Sequence, residues 1–171
     1  MRRLRAVAVV VTCAGAAVAC GGPPALDVGQ DGGESTPCTS ASRPGDWTVA
    51  NHTADASTDL EIEELELVGA DGVRLEESSL STLGGGPTTI PGTSPGWPGE
   101  LVDVDGPIWR DRRPAEGETM TKGESRVLVL RVVVEEVPAT LEGIRVHYRS
   151  GWRGRAADTS TRIEWRETCG L

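Results

Sequence analysis

Val127-Leu-Val-Leu-Arg-Val-Val-Val134 constrains this chain more than any other stretch. Seven of its eight residues are apolar and five are β-branched, which favours a pleated strand over a helix. Along a strand, Leu128, Leu130, Val132 and Val134 project to one side. Val127, Val129, Arg131 and Val133 project to the other. Two largely apolar faces describe a central strand covered on both sides. The next apolar stretch, Ile144-Arg-Val-His-Tyr-Arg149, alternates instead. Ile144, Val146 and Tyr148 share a buried face; Arg145, His147 and Arg149 share a solvated one. Val137-Pro138 lies between them, and proline belongs at a turn because it cannot donate to a ladder. The simplest expectation is an antiparallel meander through these two strands.

Upstream, Asp46–His52 reads as a first strand. Leu60-Glu-Ile-Glu-Glu-Leu-Glu-Leu-Val68 alternates with a slip, and a bulge at Glu63-Glu64 restores one apolar face. Gly69-Ala-Asp-Gly72 supplies a turn, after which Val73–Glu76 returns as a strand. From Ser78 to Ser125 the chain reads as irregular, because Gly84-Gly-Gly-Pro87 and Pro95-Gly-Trp-Pro-Gly99 exclude a helix. Short strands are expected at Glu100–Val104 and Glu118–Thr121. The last alternation, Thr161–Cys169, is expected to pair with Ile144–Tyr148. About seven short strands with Gly/Pro turns and no helix argue for an all-β, antiparallel β-sandwich.

The N-terminus carries targeting information. Met1-Arg-Arg-Leu-Arg5 is basic, and Ala6–Ala19 is apolar but too short for a span of about 20 residues. A signal peptide over residues 1–19 is the reading. The cleavage region, Ala16-Ala-Val-Ala-Cys20-Gly-Gly22, resembles the lipobox of bacterial lipoproteins, with Ala17 where leucine is usual. The resemblance implies that Cys20 becomes a lipidated N-terminus. Cysteine parity agrees. Of four cysteines, Cys13 leaves with the signal; lipid on Cys20 leaves Cys38 and Cys169 as a disulfide pair in an oxidising compartment.

Residues 20–37, rich in Gly and Pro with little to bury, read as a lipid-anchored disordered tether, and residues 38–171 as the folded domain. Gly117-Glu-Thr-Met-Thr-Lys-Gly-Glu-Ser125 ahead of an apolar strand resembles a stretch of immunoglobulin-like domains in bacterial envelope proteins. That resemblance implies an immunoglobulin-like sandwich.

Chemistry-bearing patterns are sparse. The two histidines, His52 and His147, stand apart, and there is no Cys-x-x-Cys or His-x-x-x-His. The one Gly-x-Ser-x-Gly, Gly92-Thr-Ser94-Pro-Gly96, lies among Pro and Gly breakers that exclude the helix a nucleophile elbow leads into, and no phosphate-binding lysine loop appears. The expectation is a protein that is not an enzyme and takes no cofactor or metal. Without residues 1–19 the chain holds 14 cationic against 26 acidic side chains, net −12, which argues against nucleic acid. The expected partners are the membrane, through the lipid, and an envelope protein or glycan. Trp97, Trp109 and Trp152 fall in loops or turns and form a possible binding surface, since exposed tryptophan suits sugar or peptide stacking. With no phenylalanine in the chain, plugging the ends of the sandwich is the competing role. Arg145, Arg149, Arg162 and Arg166 are expected to face solvent on one sheet, some paired with acids.

Overall fold

A computed structural model describes residues 24–29, 38–82, 92–100, 102–159 and 162–169, with residues 50–52 described in backbone only. The signal-peptide assignment and Cys20 lie outside these residues. The strands are β1 (Leu26–Val28), β2 (Cys38–Ser40), β3 (Gly45–Ala56), β4 (Leu60–Val68), β5 (Val73–Thr82) and β6 (Thr93–Pro95). After a one-turn helix α1 (Pro107–Arg110) come β7 (Arg113–Pro114), β8 (Thr119–Met120), β9 (Ser125–Val134) and β10 (Ala139–Leu141). The last are β11 (Gly143–Ser150), β12 (Arg153–Asp158) and β13 (Ile163–Arg166). The fold is all-β and sandwich-like. It holds 13 strands among the described residues rather than about seven.

One layer is a sheet of order β1-β3-β9-β5-β7, with β6 also on β3. The other side is built from β12-β11-β4-β8 and from β10-β13-β2. Every pairing is antiparallel except β2 with β13. The central position of β9 follows from its composition. Leu128, Leu130, Val132 and Val134 face the main core, while Val127 and Val129 form a second apolar cluster on the outer side. Opposite, β4 contributes Leu60, Ile62 and Leu65, β11 contributes Ile144, Val146 and Tyr148, and β13 contributes Ile163 and Trp165. The void between the layers, beside Ile62, Leu65 and Leu128, is only about 10 Å³. That is about one water probe, with an apolar lining, so the interior is core and not a ligand cavity.

The bulge in β4 lies where the alternation slips. Glu64 pairs with His147 and Ile62 with Tyr148, so Glu63 is the extra residue and the apolar side chains stay on one face.

Several pairings differ from the sequence reading. β9 and β11 do not form a meander; they lie in opposite layers, and Glu135–Pro138 crosses between them. A strand apolar on both faces needs a neighbour on each edge, and β3 and β5 supply them. The Gly69–Gly72 turn likewise changes layers, since β4 pairs with β11 and β8 while β5 pairs with β9 and β7. β5 runs to Thr82, into the stretch read as irregular. β13 pairs with β10 and β2, not with β11, whose free edge is taken by β12. No strand forms at 102–104, and α1 supplies one helical turn where none was expected.

The tether also needs correction. Leu26 and Val28 are buried, flanking exposed Asp27, and this short alternation forms β1 on the edge of β3. Disorder was therefore the wrong expectation for residues 26–28. The composition of the whole segment hid a three-residue period-2 pattern.

Candidate functional site

The Trp97–Trp109 region lies on the outer face of β9. Thr48, fully buried on β3, pins its first loop: its Oγ1 donates to the Gly96 carbonyl at 3.0 Å and accepts the Gly99 N–H at 2.7 Å. Gly96 has φ +90°, a conformation that needs glycine. Trp109 arrives on α1, which starts with Pro107. The two indoles meet edge to face with ring centroids 4.9 Å apart. They pack with Ile108 over Val127 and Val129.

Two guanidinium groups cover this pair. Arg112 lies 3.7 Å from the Trp109 ring centroid and donates from Nη1 to the Trp109 carbonyl at 2.8 Å. Arg131, projecting from the outer face of β9, lies 5.9 Å from the Trp97 ring and pairs with Asp46 at 2.6 Å. Cation–π contacts at these distances draw the cation onto the ring face. A glycan or peptide stacking here would have to displace arginine first. Both tryptophans are half-buried, as expected of residues that close over a sheet. Trp152 is not part of this cluster. It sits in the β11–β12 turn of the other layer and is 83% exposed. The three tryptophans therefore do not make one surface.

The charged face is a ladder of cross-strand pairs. Arg145 bonds Asp158 on β12 at 2.7 Å and Glu66 on β4 at 3.2 Å. Arg149 bonds Glu61 at 2.8 Å and Glu63 at 3.3 Å. His147 lies 3.4 Å from Glu66. Arg162 pairs with Glu142 and Arg166 with Glu164. All four arginines are solvent-facing as expected, but they are divided between two sheets. Solvent screens pairs this exposed, so they add little to stability.

Two carboxylates lie below their usual range. The Thr121 backbone N–H, followed by Arg126, holds Glu124 down, and the Arg145 guanidinium does the same for Asp158. A carboxyl depressed in the fold binds protons more tightly once unfolded. Its contribution is complete above the unfolded value of about 4 and drains away as pH falls through the folded value. Urea melts of the wild type and of an E124Q/D158N variant should therefore differ by a constant amount above about pH 5, and the gap should close below about pH 4. A gap that widened in acid would contradict this assignment.

Cys38 and Cys169 are bonded, with Cα atoms 5.8 Å apart and a sequence separation of 131. Among the described residues no three His, Cys, Asp or Glu side chains gather as a metal site. No described helix is long and apolar enough to cross a membrane. A shallow open hollow of about 450 Å³ runs beside Val137–Thr140, Arg166 and Glu167. No protein-family model, curated protein or solved structure matches the chain.

Proposed function

We propose that this chain is a non-catalytic protein of the bacterial cell envelope, held to the outer face of the membrane by lipid on Cys20. Its domain serves there as an interaction or structural module. The observation that carries this reading is the Ala17-Val-Ala-Cys20 sequence behind a basic start and a short apolar run. The Cys38–Cys169 bond supports it in two ways. A disulfide suits an exported chain, and with those two cysteines joined, Cys20 is the odd thiol left after signal removal. The partner class is an envelope protein or a glycan. Capture by a shared tryptophan surface is the weaker version, because Arg112 and Arg131 already cover Trp109 and Trp97.

Cell fractionation tests the anchor. Wild-type protein should sediment with membranes and show a diacylglycerol-modified N-terminal cysteine by mass spectrometry. Cys20→Ser should move it into the soluble fraction. Membrane association that survives the substitution, or an unmodified Cys20, would refute the proposal.

A further inference from the structure

The exposed Trp152 lies at the same end of the domain as the point where the chain enters the fold. Ser57 Oγ donates to the Pro24 carbonyl at 2.8 Å, and the Ser57 N–H donates to the Ala25 carbonyl at 2.9 Å. The next residue, Thr58, shares a hydrogen bond of 2.9 Å with Ser150, whose Oγ also lies 3.1 Å from the Asp59 carbonyl. Ser150 pairs with Arg153 across the turn that carries Trp152. Pro24 is four residues from Cys20, a reach of roughly 14 Å at full extension. A lipid on Cys20 therefore sets this end of the domain against the bilayer.

The chemistry of that end fits a bilayer surface. Trp152 is the most exposed large apolar side chain among the described residues, and Arg153 stacks on it at 4.6 Å. Arg153 and Arg155 have no ionic partner among the described residues, whereas Arg149 engages Glu61 and Glu63. Lys122, the only lysine of the chain, is exposed beside the same end, its N–H held by Asp59 at 2.8 Å. The chain as a whole carries net charge −9, so anionic lipid repels most of it. Unpaired cations around a bare indole are the part that such a surface attracts. Tryptophan settles at the headgroup level, and arginine stems lie along it with their charge outward.

We propose that the β11–β12 turn, with Trp152, Arg153 and Arg155, is a second membrane contact that docks on anionic phospholipid headgroups and fixes the orientation of the domain. The orientation argument rests on the lipid-anchor reading; the contact itself is testable apart from it.

The test uses the full chain, purified in detergent and mixed into vesicles of brominated phosphatidylglycerol or brominated phosphatidylcholine. The emission of Trp152 is read as the difference between wild type and Trp152→Ser. That difference should fall about twofold in phosphatidylglycerol and little in phosphatidylcholine, as an interfacial indole would. Flotation of protein lacking the lipid should weaken about fivefold for each arginine removed in R153A and R155A, and should fade in molar salt. Lipidation is scored separately by N-terminal mass. A lipidated chain that floats but shows no Trp152 quenching keeps the anchor and overturns this proposal. Flotation of the lipid-free protein on phosphatidylglycerol through Trp152 and the arginines supports the proposal, and refutes the anchor only where the native chain's N-terminal mass also shows no lipid. A chain that does neither overturns both.

Discussion

Replacing both Cys38 and Cys169 by serine is expected to lower unfolding stability by about 4–5 kcal/mol, the chain-entropy value for closing a loop of this length. The bond joins positions separated by 131 in sequence, at β2 and just after β13. What it joins is weak without it. β2 has three residues and, among the described residues, its one strand partner is β13, itself only four residues long. A small domain has a net stability of about 5–15 kcal/mol, so a loss of this size takes much of it. For a domain of this length the melting temperature should drop on the order of 10 °C. Thermal and urea melts of the double-serine variant against the oxidised wild type measure this directly, and removing both sulfurs avoids a stray thiol. Melts that coincide would mean the bond fastens ends already held by other contacts.

Trp165→Ala should have the second large effect. Trp165 is fully buried on β13 and meets Trp47 edge to face with centroids 6.5 Å apart. Its register neighbours are the small residues Ala139 and Thr39, which leave room for the indole. Truncation to alanine removes the indole from a packed core and leaves a cavity, at a cost of about 3–5 kcal/mol. Trp152→Ala, at an 83% exposed position, should stay within about 0.5 kcal/mol of wild type. Denaturant midpoints of the two variants should therefore separate widely. Equal midpoints would show that Trp165 does not hold the layers together.

These positions also show what the sequence made readable. The two-faced apolar run of β9 announced a central strand, and the slip between Ile62 and Leu65 announced the β4 bulge. Both are local patterns of period 2, which the pleat imposes. Which strand lies beside which was less readable. β4 to β5 and β9 to β11 look like hairpins in sequence, yet both connections change layers. Alternation says that one face is buried, but not against which layer. β12, Arg153–Asp158, escaped notice because an edge strand exposed on nearly every residue carries no apolar alternation. The disulfide was readable from parity. Trp97 and Trp152 were readable as loop or turn residues, whereas Trp109 lies on α1; that Trp152 stands apart was not readable, because alternation does not say which layer its turn belongs to.

The parallel strand pair at the chain ends has a mechanical consequence. A protein tethered at one end and gripped at the other by a partner carries tension along its backbone. Here the bond between Cys38 and Cys169 lets that tension bypass everything between them. The segment left to yield is the stretch ahead of Cys38, where β1 is held to β3 by three register pairs. Pulled from residue 24, the chain should lengthen by at most roughly 50 Å, the contour of 14 residues. The sandwich itself stays shut until the sulfur–sulfur bond is reduced. Under load such a protein behaves as a short leash with a fixed stop rather than as an extensible spring.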